Sequence, residues 1–365
     1  MTEKTANPFK LALGGDTPPG IADAPDPLDV TPVIFGDNDA GLLPEGMDNS
    51  LGATLFVNEI HPVLIFGTRA TGKTTFLTSM LSFFTSMPDV GATLTLGDRL
   101  SGTEAGTQAH ESAEKIFHMQ VGEYLGGEAP TVTQDPFPFF IPLELRKAGV
   151  RSATKIALME SSGELWSVGK TKNNVLNLRE EILDVYRTYP KPLSVIIVVP
   201  YAMSEGYTGE DTGEKDKDEF RISDASLLQT LQIYQKYRPE GIKDQFYFVL
   251  TKWDMHTRKI ASKEFLSPAD DLVSKLIEDR FPRAFNYFRA MSNDHRARCT
   301  PYSAGLIGGT KVLEVPAELR PLLQEFPYRL WRWIYASATD GDDLYSTDAR
   351  PKGGRVSRFF RELFS

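Results

Sequence analysis

The sequence predicts an α/β fold with three layers, in which a mostly parallel central sheet with insertions lies between helices. Three observations favour this class. Hydrophobic residues make up 41% of the 365 residues and charged residues 24%, which is typical of a chain with a globular core. Short apolar runs of strand length alternate along the chain with longer helical patterns. The clearest run, Val63-Leu64-Ile65-Phe66, is apolar throughout, as a strand buried on both faces is.

The predicted elements follow one another in a strand–helix alternation. Strands are expected at residues 63–66, 93–96, 137–145, 155–159, 193–199 and 245–250, with a short strand before Ser303. Helices are expected at residues 76–84, 104–123, 175–186, 224–237, 269–289 and 328–335. Trp331 and Trp333 are expected to pack the last helix onto the sheet, because aromatic side chains of this size bury large apolar areas.

Charge and cysteine content exclude several classes of protein. The net charge of −9 and the lack of a basic stripe indicate that nucleic acid is not a partner. The single cysteine, Cys299, excludes a disulfide scaffold and a zinc site built on cysteines. The sequence contains no apolar run of membrane-spanning length and does not start with a signal-peptide pattern. A cytoplasmic protein is therefore expected.

The strongest motif lies directly after the first predicted strand and matches G-x-x-x-x-G-K-[ST] at every fixed position. In such a loop the glycines let backbone N–H groups wrap phosphates, and the following helix N-terminus adds a positive dipole end. Lys73 would place its charge on the outer phosphates, and the Thr74 hydroxyl would ligate Mg²⁺. The phosphate-binding residues expected here are Gly67, Thr68, Arg69, Ala70, Thr71, Gly72, Lys73, Thr74 and Thr75.

A second magnesium ligand is expected at the end of another strand. Residues 155–159 lead into Glu160, and Gly163 and Glu164 follow. Together with the phosphate loop, this segment resembles the Ras-like (TRAFAC-class) P-loop GTPases, whose third motif is D-x-x-G after such a strand. The resemblance implies a Ras-like G domain, with Glu160 reaching Mg²⁺ through water and the Gly163 N–H meeting the γ-phosphate. The alternative is an ordinary strand end with a solvated glutamate.

A motif for base recognition follows the predicted strand at residues 245–250. It reads Thr251-Lys252-Trp253-Asp254, a T-K-x-D variant of the N-K-x-D that the family carries. A carboxylate at Asp254 can accept hydrogen bonds from N1–H and the N2 amine of guanine, whereas adenine offers no such donor pair. The resemblance also implies that the Lys252 stem covers the base and that backbone N–H groups at Ser303 and Ala304 read its O6. GTP or GDP, with Mg²⁺, is the expected ligand.

The resemblance further implies a switch threonine that closes over Mg²⁺ before the strand at residues 137–145. Thr131 is favoured and Thr133 is close behind, although both could be ordinary strand-edge threonines. Glu164 stands where efficient GTPases of this class orient the attacking water with glutamine. Its negative charge would repel the γ-phosphate, so slow hydrolysis is expected, with Lys73, Glu164 and Thr131 as the catalytic residues. Arg69 could crowd the site, point to solvent or neutralise charge.

The sequence divides into three expected regions. Residues 1–53 form an acidic, Pro/Gly-rich, largely disordered arm, residues 54–337 a GTPase-like P-loop domain, and residues 338–365 a flexible basic tail. The insertions also make the chain loosely similar to bacterial conflict-system double-GTPase domains. The expected role is a nucleotide-dependent switch that acts on an effector or regulatory protein, with membrane contact through the tail as a further hypothesis. The alternatives are a P-loop ATPase and an adaptor that holds nucleotide without hydrolysing it.

Overall fold

The computed structural model describes twelve stretches of the chain: residues 50–67, 71–87, 90–98, 110–111, 113–128, 139–160, 180–201, 224–253, 270–291, 298–308, 311–313 and 320–344. These cover the phosphate-loop helix, the central strands and the last helix. The predicted arm lies outside them except for its last residues, 50–53, and most of the predicted tail also lies outside, so the predicted domain boundaries stay predictions. None of the described helices combines the length and the apolar character that crossing a membrane requires.

The strands of the described residues are β1 (Ile60–Phe66), β2 (Ala92–Leu96), β3 (Phe139–Lys147), β4 (Thr154–Glu160), β5 (Ser194–Pro200), β6 (Gln245–Thr251), β7 (Arg298–Pro301), β8 (Leu306–Gly308) and β9 (Lys311–Leu313). The helices are α1 (Leu51–Val57), α2 (Lys73–Ser86), α3 (Val121–Leu125), α4 (Glu180–Thr188), α5 (Asp224–Tyr237), α6 (Asp270–Arg280), α7 (Pro282–Met291) and α8 (Arg320–Ala338). A π-helical segment, Lys115–Gln120, leads directly into α3.

Seven strands form one sheet in the order β2-β3-β4-β1-β5-β6-β7. The strands β4, β1, β5, β6 and β7 are parallel to one another, whereas β3 runs antiparallel to both β2 and β4. The central strands β1 and β5 are buried along their whole length, and each contains a continuous apolar run that predicts such burial. The predicted α/β fold with a mostly parallel sheet is confirmed.

Alternate residues of β6 show that helices cover both faces of the sheet. Phe246 and Phe248 lie on one face, where the Phe288 ring of α7 packs at centroid distances of 5.8 and 4.5 Å. Tyr247 lies on the other face and packs against Trp333 of α8 at 5.0 Å. Because side chains alternate between faces along a strand, these contacts establish the three layers.

The last helix is longer than predicted. The sequence pattern placed it at residues 328–335, but α8 begins about two turns earlier and contains Pro327 in its interior. A proline lacks the N–H that a helix interior needs, so the pattern indicated a start after it. Tertiary packing overrides that cost: Phe326 is buried beside the proline, and the Trp331 Nε1–H donates to the Met80 carbonyl of α2 at 2.9 Å.

The single helix predicted at residues 269–289 is two helices. Phe281 separates α6 from α7, and Pro282 is the first residue of α7. Proline suits that position because its missing N–H would have no partner inside the helix, and its fixed φ favours helix entry. Phe281 is buried, so the break is stabilised by the core. The hairpin of β8 and β9 and the short helix α1 were not predicted.

A buried ion pair links the amino-terminal ends of β5 and β6. The predicted site lies at the other, carboxyl-terminal ends of the strands. The Arg238 Nε lies 2.8 Å from an Asp244 carboxylate oxygen, and both side chains are almost fully buried. Arg238 also donates to the Tyr186 carbonyl at 3.0 Å, and Asp244 accepts from the Leu193 N–H at 2.6 Å. Because both charges are paired and hydrogen-bonded, the interior accommodates them, and the start of β5 is tied to that of β6.

His61 is a buried histidine near the start of β1. Its Nε2 lies 2.8 Å from the Ser194 hydroxyl of β5. Burial, together with the positive charge of Lys191, lowers the pKa of His61 to about 4. Since the ordinary pKa is about 6.5, the unfolded chain binds more protons than the folded protein between those two values. The contribution of neutral His61 to the free energy of unfolding is therefore fully present above about pH 6.5 and is lost as the pH falls towards 4.

We expect acidification from pH 7 to pH 5 to cost wild-type protein on the order of 2 kcal/mol through His61, on top of the contributions of other groups. His61→Gln keeps a polar partner for Ser194 but cannot bind the proton. Denaturant unfolding of both proteins at the two pH values measures the difference. The variant should lose less stability than wild type on acidification, and equal losses in the two proteins would contradict the assignment.

Candidate functional site

The strand order of the sheet reverses between β1 and β5. The chain leaves β1 towards the β4 side of the sheet, whereas it leaves β5 towards β6. In open α/β sheets, ligands bind outside the carboxyl ends of the strands where the strand order reverses in this way. Gly67 and the start of α2 follow β1 directly, so the predicted phosphate loop lies at this position.

Both fixed glycines of the phosphate-loop motif are required by the backbone. A Cβ at Gly67 would lie 2.8 Å from the Val198 carbonyl oxygen of β5, which is closer than such contacts allow. Gly72 caps α2 with a φ of +84°, in the left-handed region that favours glycine. The chain therefore lies close against β5 at Gly67 and turns sharply into α2 at Gly72. This is the local geometry that lets backbone groups approach a phosphate.

Lys73 is the first residue of α2 and is buried. Its Nζ donates to the Gly67 carbonyl at 2.7 Å, so the side chain folds back over the loop that it follows. The amino-terminal end of α2 carries the positive end of the helix dipole, and Thr74 and Thr75 in its first turn are half-buried. A buried ammonium and a helix N-terminus at one place make this end of the sheet attractive to anions.

The T-K-x-D segment is held directly on the phosphate loop. The Thr251 hydroxyl lies 2.5 Å from the Thr71 carbonyl oxygen and donates to it, and it lies 3.2 Å from the Val199 carbonyl oxygen of β5. Thr251 and Thr71 are both buried. Lys252 follows with a φ of +58°, which turns the chain away from the end of β6. The structure thus brings two motifs that are 180 residues apart in sequence into contact.

The predicted base loop, Ser303-Ala304-Gly305, lies beside the T-K-x-D segment. The Tyr302 N–H donates to the Leu250 carbonyl at 2.9 Å, and the Trp253 N–H donates to the Tyr302 carbonyl at 3.2 Å. Ser303 is buried, and its hydroxyl accepts from the Gly305 N–H at 3.3 Å. These bonds form a compact turn after β7. The turn lies at the carboxyl ends of the strands, as does the predicted phosphate loop.

The predicted magnesium ligands are only partly described. Glu160 is the last residue of β4, and its backbone pairs with Ile65 of β1, two residues before Gly67. Thr74 lies one residue into α2. Hydroxyl and carboxylate oxygens are ligand types that Mg²⁺ takes, so the residue types Thr74 and Glu160 fit the ion. In the described part of the chain, no group of three His, Cys, Asp or Glu side chains offers another metal site.

Several predicted site residues lie outside the described stretches. These are Thr68, Arg69 and Ala70 of the phosphate loop, Gly163 and Glu164 after β4, the switch candidates Thr131 and Thr133, and Asp254. Their roles stay predictions.

Two residues outside every predicted motif reach the base loop. The Tyr124 hydroxyl of α3 donates to the Ala304 carbonyl, and the Ser79 hydroxyl of α2 lies 2.9 Å from that of Tyr302. No local sequence signal marks either residue, because each contact joins segments that are distant in the chain.

No protein-family model and no curated protein matches the chain. Among solved structures, one similar chain belongs to the signal recognition particle receptor SRb-GTP/SRX complex from Chaetomium thermophilum. The two chains are 14% identical, the match covers 75% of this chain and 97% of the other, and the TM-score is 0.36. At this identity and score the likeness carries no argument about function, and the site must be judged from its own geometry.

Proposed function

We propose that the protein binds guanine nucleotides with Mg²⁺ and acts as a nucleotide-dependent switch with slow intrinsic GTP hydrolysis. The observation that carries the proposal is the hydrogen bond from Thr251 to Thr71. It joins the motif expected to bind phosphates to the motif expected to bind the base, at the strand-order reversal where α/β sheets bind ligands. One nucleotide could therefore contact both motifs.

The phosphates would lie over the loop that begins at Gly67. Lys73 supplies a buried positive charge, and the first turn of α2 supplies backbone N–H groups and the dipole. In this arrangement Lys73 would exchange its bond to the Gly67 carbonyl for a charge-assisted bond to a phosphate oxygen, which is the stronger of the two. Mg²⁺, held by Thr74 and through water by Glu160, would neutralise charge on the outer phosphates.

The base would lie between the T-K-x-D segment and the Ser303–Gly305 turn. Asp254 would accept from N1–H and the N2 amine of guanine, and the turn would donate backbone N–H groups to O6. Adenine carries an amine in place of O6 and has no N1–H, so it would leave the carboxylate unpaired. This difference between the bases supports GTP rather than ATP as the ligand.

Slow hydrolysis follows from the residue expected to orient water. A glutamine at that place would hold water without charge, whereas Glu164 would set a negative charge near the γ-phosphate. Thr131 and the Gly163 segment would close on the triphosphate and open after hydrolysis, which is the usual form of such a switch. An effector or regulatory protein would read the closed state.

Hydrogen exchange in the full chain tests the switch. With a non-hydrolysable GTP analogue and Mg²⁺, amides in residues 129–138 and 161–164 should exchange more slowly than with GDP, while an ATP analogue should have no effect.

Single-turnover GTP hydrolysis without an activator should be slower than ~1 s⁻¹. Equal exchange with GTP analogue and GDP would instead favour a nucleotide-holding adaptor, and turnover at ~1 s⁻¹ or faster would contradict the role given to Glu164.

A further inference from the structure

The helical segment at residues 115–125, between β2 and β3 in the chain, contacts the base loop. Its π-helical turn continues into α3, and Tyr124 of α3 donates a hydrogen bond to the Ala304 carbonyl. We propose that Tyr124 is a positioning residue for base recognition, whose hydroxyl holds the Ser303–Gly305 turn in the orientation that reads O6 of the base. The inference rests on the proposed guanine-nucleotide site and identifies a residue that governs its specificity.

The turn needs an external hold because of its glycine. Gly305 has a φ of +121°, a region that L residues rarely adopt and glycine enters freely. The Ala304 carbonyl and the Gly305 N–H belong to one planar peptide, so a bond to the carbonyl fixes that whole peptide. This peptide directly follows the Ala304 N–H that is expected to read O6, so its orientation limits where that N–H can point. Within the turn, the Gly305 N–H bond to the Ser303 hydroxyl is long, at 3.3 Å. The Tyr124 bond supplies a second restraint on the same peptide from a separate helix.

Burial keeps the Tyr124 hydroxyl in its donating form. It raises the pKa of Tyr124 above its ordinary value, and a hydrogen bond with Ser79 opposes the shift. The hydroxyl therefore remains protonated near neutral pH and can donate to Ala304 throughout the working range.

The hydroxyls of Tyr302, Ser79 and Tyr124 form a connected group that links the base loop to helices α2 and α3. Ser79 of α2 contacts both the Tyr302 hydroxyl, at 2.9 Å, and the Tyr124 hydroxyl. Each hydroxyl has one proton to donate, and the Tyr124 proton goes to Ala304. The order that satisfies every group runs from Tyr302 to Ser79, from Ser79 to Tyr124, and from Tyr124 to the Ala304 carbonyl. Such a chain is complete only when α2, α3 and the loop are all in place.

The Ser303–Gly305 turn and Asp254 would contact different atoms of the base. Nucleotides that lack one of these atoms therefore separate the effect of the turn on affinity from that of Asp254. The Ser303–Gly305 turn would donate to O6, whereas Asp254 would contact N1–H and the N2 amine. A guanosine or inosine nucleotide carries O6, and a 2-aminopurine riboside nucleotide lacks it. Loosening the turn should therefore weaken the first two ligands and leave the third unchanged.

The experiment compares dissociation constants of GDP, IDP and 2-aminopurine riboside diphosphate, measured with Mg²⁺ by displacement of a fluorescent GDP derivative from the full chain. Tyr124→Phe removes only the hydroxyl and should weaken GDP and IDP by about three- to tenfold, the value of one neutral hydrogen bond. The 2-aminopurine nucleotide should bind the variant and wild type equally. Ser79→Ala, which interrupts the hydroxyl chain one step earlier, should show the same pattern and serves as the second variant.

Tyr287→Phe is the matched control, because its hydroxyl donates to Gln235 on an exposed surface away from the base loop. It should leave all three affinities unchanged. Unchanged GDP affinity in Tyr124→Phe and Ser79→Ala, or equal weakening of all three nucleotides, would overturn the positioning role alone. Wild-type protein that binds ADP as tightly as GDP would overturn the proposed function, and the inference with it.

Discussion

Lys73→Ala is expected to weaken GTP binding by at least about 100-fold, because it removes a charged donor from the phosphates. Lys73 is the first residue of the helix that follows the phosphate loop, and its side chain folds back to the Gly67 carbonyl at 2.7 Å. The motif contains no second lysine. Calorimetric titration with GTP and Mg²⁺ measures the loss, and thermal unfolding of the ligand-free variant shows whether the fold is kept.

Two further variants separate charge from packing. Lys73→Met keeps most of the buried stem and removes the ammonium, so it should lose as much GTP affinity as Lys73→Ala while staying closer to wild type in stability. Lys155→Ala is the matched control: that lysine also donates to a backbone carbonyl, of Asn58, but on an exposed surface. It should bind GTP normally. Wild-type affinity in either Lys73 variant would disprove the phosphate-loop assignment.

Asp254→Asn is expected to exchange the base preference from guanine to xanthine. The carboxylate of Asp254 would accept two hydrogen bonds from guanine, and an amide in its place offers one acceptor and one donor group. Xanthine has a carbonyl where guanine has the N2 amine, so the amide can donate to it. GTP binding should weaken by at least about 100-fold, since a site built on hydrogen bonds rejects a ligand that leaves its groups unpaired.

The preference is measured by competition of GTP, xanthosine triphosphate and ATP for the same site. Asp271→Asn is the matched control because Asp271 is exposed on α6, and it should leave the order of affinities unchanged. Unaltered GTP binding by Asp254→Asn would show that Asp254 does not contact the base. Tight ATP binding by the variant and by wild type would move the assignment to an ATPase.

The central strands could be predicted because their sequences leave few alternatives. Each of β1, β5 and β6 contains an unbroken apolar run of strand length, which is typical of a strand covered on both faces. Their parallel pairing followed from the helical patterns between them. The hairpin of β8 and β9 has strands of three residues, too short for a period to be recognised.

Helix ends were harder to predict because tertiary packing decides them. Pro327 lies inside α8, where buried neighbours hold the helix across it, while Pro282 begins a new helix after the buried Phe281. Both prolines break the local pattern in the same way, and only the core distinguishes them. A sequence pattern carries no information about that packing.

The backbone geometry at the candidate site was predictable where the motif requires glycine. Gly67 and Gly72 occupy places that exclude a side chain or favour glycine, so their spacing carries structural meaning. The contacts of Thr251 with Thr71 and of Tyr124 with Ala304 each join residues 180 positions apart. No local pattern reports such contacts. The roles of Asp254, Glu164 and Thr131 still rest on sequence.

The most direct test of guanine-nucleotide binding is the thermal unfolding of the full chain with GTP, GDP, ATP or ADP, each with Mg²⁺. A ligand present at about 100 times its dissociation constant stabilises the folded state by about 2.7 kcal/mol, which a melting curve detects readily. We expect GTP and GDP to raise the melting temperature and ATP and ADP to leave it unchanged. Equal shifts with all four, or larger shifts with adenine nucleotides, would contradict the guanine site and the switch built on it.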